Sequence, residues 1–281
     1  MHLLSKLRAS LYRLLVRDSW IPKPPPPAAL VAASVRRAEQ ERIVQPELDS
    51  DISQEEVQLA ISRLKQGKSA GVDDIITEWF IYGGERMTQA LWAIINQAWL
   101  SETAPSDWSR GIISPIYKDG DSRDPLNYRG ITLLSVVGKL YTSIINERLM
   151  SWCEEEGALS EEQGGFKRFR GCSEQIFILS EIIKLRRNRS TFTMFIDVKK
   201  AFDRVFRDGL WLRLWTIGVR GKMWRVIKQL YSDVESRVKT GNGLTEWFKL
   251  HCGLRQGCPL SPTLYNVFID GLVRELKGLG L

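Results

Sequence analysis

The apolar positions of the chain fall into blocks of different period. Near the N-terminus, Leu3, Leu4, Leu7, Leu11, Leu14 and Leu15 recur at helical spacing with Lys6, Arg8, Arg13 and Arg17 around them. This predicts an amphipathic helix that docks on the body or frays, although its basic, acid-poor composition also fits a mitochondrial transit peptide. Pro22 to Pro27 contains five prolines, a stiff extended linker. Residues 28–50 read as a loosely packed helix and a loop. Ser53-Gln54-Glu55-Glu56 has the form of a capping box, with Ile52 and Val57 as its hydrophobic staple, so a helix begins there. It continues through Val57, Ala60, Ile61 and Leu64 and stops at Gly67. Residues 86–100 give the next helix, with Met87, Ala90, Leu91, Ile94, Ile95 and Ala98 on one face.

Further along, the pattern turns strand-like. Gly111–Tyr117 and Tyr128–Leu133 read as two strands, and the Asp119-Gly120 step between them is a tight-hairpin signal. Val136–Glu155 is a long amphipathic helix with Val137, Leu140, Tyr141, Ile144, Ile145 and Leu149 inward. Residues 163–173 form a glycine-rich basic loop. A helix from Glu174 follows, with Ile176, Leu179 and Ile183 as its apolar face. It ends in Lys184, Arg186, Arg187 and Arg189, which suit a helix C-terminus. Thr191–Ile196 is β-branched and aromatic apart from Met194, hence a strand, and it delivers Asp197 to a turn. Residues 208–217 and 222–231 are helical, and 234–250 form a hairpin around Gly241-Asn242-Gly243. A last helix starts at Ser261 with Pro262 at its first position and turns Leu264, Phe268, Leu272 and Leu276 inward. The predicted architecture is α+β, with helices packed on a small antiparallel sheet.

Composition narrows this picture only slightly. The 281 residues are 43% hydrophobic and 26% charged, enough for one large domain or two small ones. A net charge of +7 suits a polyanionic partner without requiring one. The four cysteines contain no Cys-x-x-Cys pair, and His251-Cys252 with Cys258 matches no zinc spacing. Free thiols in an intracellular protein, nuclear or cytoplasmic, are the expectation. No apolar run reaches bilayer length, so neither a transmembrane helix nor a membrane partner is expected. Gly67-Lys68-Ser69 is not a phosphate loop, because Ser62 stands where the first glycine belongs and a helix precedes it.

The candidate chemistry begins at Asp197, a carboxylate at a strand end, with Asp203 six residues later. Taken alone, the pair is explained as turn and helix caps. The wider stretch Phe195-Ile196-Asp197-Val198-Lys199-Lys200-Ala201-Phe202-Asp203, however, resembles the first catalytic block of reverse transcriptases of non-LTR (LINE-type) retrotransposons. Gly253-Leu254-Arg255-Gln256-Gly257-Cys258-Pro259-Leu260-Ser261-Pro262 resembles the second. Gly67 to Asp73 resembles a further segment of that family, with Ala70 where proline is usual.

The resemblance implies a right-hand polymerase fold. Residues 1–50 would be an N-terminal helix and linker, 51–190 the fingers and 191–281 an incomplete palm, with the thumb absent. It implies an RNA-directed DNA polymerase that takes an RNA template, a DNA primer and a dNTP, and uses Mg²⁺ or Mn²⁺ in two-metal phosphoryl transfer. Asp197 and the Val198 carbonyl would hold metal. Lys118 and Arg129 would grip the triphosphate, and Phe202 would exclude a 2′-hydroxyl. Gln256 and Gly257 would contact the nucleotide, and Lys167, Arg168 and Arg170 the nucleic-acid backbone. Asp203 would be structural, carried away from the site by the turn. Two more departures stand out: Gly130 where proline is usual, and Phe169 where glycine is usual. The family's second acidic turn is an Asp-Asp pair after the second block. The only Asp-Asp here is Asp73-Asp74. This chain alone is therefore expected to be inactive. The alternative is a non-catalytic nucleic-acid-binding remnant, and a magnesium-dependent phosphotransferase of another family is a distant third reading.

Overall fold

The computed structural model describes residues 28–41, 43–187, 193 and 195–278. The N-terminal stripe, the proline-rich linker and most of the strand expected at 191–196 lie outside the described residues. Helix α1 (Ala28–Gln40) buries Val31, Val35 and Ala38, and the single turn α2 (Pro46–Asp49) follows it. The capping box forms at α3 (Gln54–Ser62): Ser53 Oγ accepts from Glu56 N–H at 3.3 Å, and Glu56 Oε2 accepts from Ser53 N–H at 2.8 Å. Helix α4 (Thr77–Tyr82) was not expected, and α5 (Gly84–Leu100) was. The buried face of α5 is Leu91, Ile95, Ala98 and Trp99, whereas Ala90 and Ile94 are exposed. Trp99 sets this rotation: its indole N–H donates to the Ser50 carbonyl at 2.9 Å, and Arg148 lies over its ring.

Strands β1 (Arg110–Tyr117) and β2 (Tyr128–Leu134) pair antiparallel, from Gly111 opposite Leu134 to Tyr117 opposite Tyr128. Their connection is not a tight Asp-Gly turn. It spans residues 118–127 and is closed by Lys118 N–H donating to the Asn127 carbonyl at 2.9 Å. The Asn127 amide, which donates to the Asp121 carbonyl at 3.0 Å, holds the wider loop. On its other edge β1 pairs in parallel with β3 (Glu235–Thr240), and β4 (Gly243–Leu244) and β5 (Phe248–Lys249) pair with β3. The sheet is therefore mixed rather than antiparallel. Local hairpins are visible in the residues between two strands, but a parallel pair closed across more than a hundred residues is not.

The core is organised around α6 (Val136–Glu155), which buries Leu140, Tyr141, Ile144, Ile145 and Leu149 as expected. Helices α8 (Arg207–Ile217) and α9 (Gly221–Gln229) and the last helix, α10 (Ser261–Gly278), complete it. Leu48 is fully buried, and Asp49 Oδ1 accepts from Met223 N–H at 2.9 Å, capping α9 from another part of the chain. The inner face of α10 is more polar than predicted. Thr263, Asn266 and Asp270 are buried alongside Leu264 and Val267, while Phe268, Leu272 and Leu276 are only half-buried. Asp270 accepts from Ser160 N–H at 2.7 Å, Arg213 Nη2 at 2.9 Å and Arg274 Nε at 2.6 Å. Burial pushes its pKa up, but the bonds from Ser160 and Arg274 outweigh burial and leave it lowered.

Helix α7 (Cys172–Leu185) forms, yet none of its residues is buried. Ile176 and Ile183, expected inward, are exposed. Phe195, Ile196 and Asp197 adopt no strand. An isolated strand leaves its N–H and C=O groups unpaired, and no strand among the described residues pairs with this stretch. The fold is α+β, helices with a small mixed sheet.

Candidate active site

The chain after Asp197 folds into a turn over residues 199–204, with Lys200 in the left-handed region (φ +55°) and Arg204 N–H donating to the Lys200 carbonyl at 3.2 Å. Two backbone bonds fasten this turn to the second sequence block. Leu254 N–H donates to the Phe202 carbonyl at 2.8 Å, and Gly253 N–H to the Val205 carbonyl at 2.9 Å. Glycine is needed at two points of that block. Gly253 has φ +81°, and a Cβ there would lie 2.7 Å from the Asp203 carbonyl oxygen. Gly257 has φ +87°, and its Cβ would lie 2.9 Å from the carbonyl oxygen of Thr132 on β2. Any side chain would strain the backbone and push the block off its neighbours.

Two buried arginines hold the block from behind. Arg207 fans its guanidinium across the carbonyls of Gly253 (2.9 Å), Tyr231 (3.0 Å), Leu250 (2.8 Å) and Cys252 (3.3 Å). Burial lowers its pKa, but an arginine still keeps its proton. Arg255 donates to the Trp108 carbonyl and lies over the Tyr231 ring. Ser261 Oγ donates to the Arg255 carbonyl at 2.7 Å.

The turn, the block and the β1–β2 hairpin enclose a cleft of about 750 Å³. Lys118, Arg129, Asp197, Val198, Phe202, Gln256 and Gly257 all line it. Lys118 and Arg129 are exposed on the hairpin wall, and neither side chain has an ion-pair partner among the described residues. Asp197 is exposed at the start of the turn and lines the same cleft. Asp203 is not carried away: it lines the same cleft and accepts from Gln256 Nε2 at 2.9 Å. Phe202 stacks on Tyr265, with centroids 5.2 Å apart and planes at 24°, and Phe166 meets it edge-on at 6.3 Å. Burial, with Asp197 adding to it, raises the pKa of the Tyr265 phenol.

The basic loop 163–171 runs beside the cleft, and Phe166 belongs to both. Lys167 Nζ donates to the Ser160 carbonyl at 2.9 Å. The Arg168 guanidinium turns inward to Glu147 and lies 3.6 Å from Glu154. Of the three cations expected to meet a nucleic-acid backbone, Arg168 is thus already neutralised. Arg170 is exposed with no ion-pair partner among the described residues.

The two carboxylates that line the cleft, Asp197 and Asp203, offer oxygen, the donor that Mg²⁺ or Mn²⁺ takes. Among the described residues no three or more His, Cys, Asp or Glu side chains stand close enough together to hold an ion. Sequence reasoning missed Arg207, Tyr265 and Asp270. Asp270 carried a signal, since it continues the helical spacing of Thr263 and Val267 onto the buried face. Arg207 and Tyr265 carried none, because what they touch lies far away in the chain.

A family model described as "Reverse transcriptase (RNA-dependent DNA polymerase)" matches residues 116–279, more than half of the chain. The chain is 30% identical over 221 residues to "Probable RNA-directed DNA polymerase from transposon BS" of Drosophila melanogaster, a match covering 78% of this chain and 24% of the relative. It is 32% identical over 176 residues to "Retrovirus-related Pol polyprotein from type-1 retrotransposable element R2" of Popillia japonica (62% and 24%). It is 27% identical over 240 residues to "Transposon TX1 uncharacterized 149 kDa protein" of Xenopus laevis (83% and 18%). The chain therefore spans about a fifth to a quarter of the length of these curated relatives. The kinship with non-LTR retrotransposons expected from the two sequence blocks is met, and the chain belongs to the reverse transcriptase (RNA-dependent DNA polymerase) family.

Proposed function

We propose that the chain carries fingers (51–190) and palm (191–281) residues of a right-hand polymerase. Its cleft receives the incoming deoxynucleotide against a DNA primer on an RNA template. One observation carries this reading: residues from the hairpin, the Asp197 turn and the second block, far apart in sequence, line one cavity. Lys118 and Arg129 supply unpaired positive charge for a triphosphate, Arg129 as a planar fork and Lys118 as a point charge. Phe202 is held by Tyr265 and presents a ring rather than a hydrogen-bonding group to the sugar, which disfavours a 2′-hydroxyl by sterics. Gln256 is oriented by Asp203, and Gly257 lets the backbone approach β2. Asp197, with the Val198 carbonyl and Asp203 nearby, is the place for divalent metal. Such an ion, when bound, stabilises charge on the attacking and leaving oxygens.

A non-catalytic nucleic-acid-binding module is the second reading, favoured by the two carboxylates that alone face the cleft among the described residues. Titration of dGTP and GTP, each with Mg²⁺, into the protein bound to an RNA–DNA template–primer separates the two. The polymerase reading expects dGTP to bind more tightly than GTP. It expects Lys118→Ala with Arg129→Ala to weaken both about tenfold, the loss of roughly 1.4 kcal/mol. Phe202→Val should narrow the gap between the two nucleotides. Equal binding of dGTP and GTP, untouched by the double substitution, would favour the module.

A further inference from the structure

We propose that Phe169 is a stacking platform for an unpaired base of single-stranded RNA, beside the cleft; this rests on the nucleic-acid-binding reading above. The Phe169 side chain is 97% exposed, so it adds nothing to the core. Its backbone has φ +56°, a left-handed conformation uncommon for residues other than glycine and out of keeping with so bulky a side chain. The backbone that carries the ring is nevertheless anchored, because the loop around it is fastened on both sides. Asn266 Nδ2 donates to the Gly165 carbonyl at 2.7 Å, and Lys167 Nζ to the Ser160 carbonyl at 2.9 Å. Arg168 is tied to Glu147, and Glu174 Oε2 accepts from Gly171 N–H at 2.8 Å. The left-handed turn at Phe169 therefore projects the ring from an anchored loop into solvent.

The charges decide what meets the ring. Arg168, on one side, is spent on Glu147 and Glu154. Arg170, on the other, is exposed with no ion-pair partner among the described residues. A flat apolar surface one residue from an unpaired guanidinium fits a base with its own phosphate: stacking on the ring and a charged contact to the backbone. Duplex cannot offer a face to Phe169, since its bases are stacked on each other. Phe166 joins the loop to the cleft wall, so the platform lies where a single strand would enter or leave it.

The test is anisotropy of a fluorescein-labelled, adenine-rich 12-nucleotide RNA and of an RNA duplex, each titrated with the 281-residue chain and its variants. Phe169→Gly suits the backbone conformation, so its melting temperature should not fall. It should weaken single-strand binding about tenfold with the salt dependence unchanged, because no phosphate contact is lost. Phe169→Trp should keep single-strand affinity, and duplex affinity should be the same in all three proteins. Arg170→Ala should instead reduce the slope of log affinity against log salt by about 0.7. Single-strand binding by Phe169→Gly as tight as the parent's overturns the platform while leaving the wider reading intact. A parent dimer that Phe169→Gly dissociates also overturns it, by giving the ring a protein neighbour. No binding of the single strand by the parent overturns the nucleic-acid reading itself, and the platform with it.

Discussion

Helices α6 and α7 are similar in apolar character and opposite in fate. α6 buries Leu140, Tyr141, Ile144, Ile145 and Leu149 among α2, α3, α5 and α10. α7 carries Ile176, Phe177, Ile178, Ile182 and Ile183 and buries none of them. The stretch Phe195–Asp197 resembles α7 in this respect: it has the residues of a strand and, among the described residues, no partner strand. An amphipathic pattern states that a face is to be covered; it does not supply the cover. Stability in this protein follows from which faces meet a partner, at about 1.5–3 kcal/mol for each fully buried large aliphatic side chain, and not from apolar content alone.

The sharpest way to break this comparison is at its packed end. Ile145→Ala removes a fully buried side chain from α6 and should destabilise the protein by about 3–4 kcal/mol, read as a fall in the denaturant midpoint. A loss below about 1 kcal/mol would show that α6 is no better packed than α7.

Asp270→Asn comes next, at about 2 kcal/mol. It leaves Arg213 and Arg274 without the carboxylate they share. The sign with pH follows from the lowered pKa of Asp270. Its contribution is fully present above the ordinary aspartate pKa and disappears as pH falls through the folded value. The parent should therefore lose stability in acid more steeply than Asp270→Asn does. Parallel pH profiles would contradict the assigned network.

The smallest effect belongs to α7. Ile183→Ser should change stability by no more than about 0.5 kcal/mol, although the same exchange in α6 would be severe. Amide hydrogen exchange should sharpen the contrast, with α7 and residues 195–198 exchanging faster than α6. Slow exchange in α7 would mean that its face is covered.

How much of this was legible in the sequence depended on the range of each interaction. The capping box at Ser53 and Glu56 was readable because donor and acceptor lie three residues apart. The β1–β2 pairing was readable, but the width of its connection was not, because the Asn127–Asp121 bond competes with a tight Asp-Gly turn. On α5 the stripe allowed two faces, and the docking of Trp99 on Ser50 and of Trp92 and Asn96 on Ile52 chose between them. The cleft residues were readable through their resemblance to a family. Arg207, which holds the second block by its carbonyls, was invisible because carbonyls leave no trace in a sequence.

Gly257 has a further consequence, for the order in which the molecule assembles. Its seat is the Thr132 carbonyl, and the parallel pairing of β1 with β3 spans a similar stretch of chain. Both closures pay a large loop entropy before any contact rewards it. The helices, whose own backbone hydrogen bonds are local, can form first. On a ribosome the hairpin wall emerges long before the block that completes the cleft. Nascent chains arrested shortly after β2 should therefore have no cleft, and substitutions at Gly257 should speed unfolding while leaving the folding rate almost unchanged.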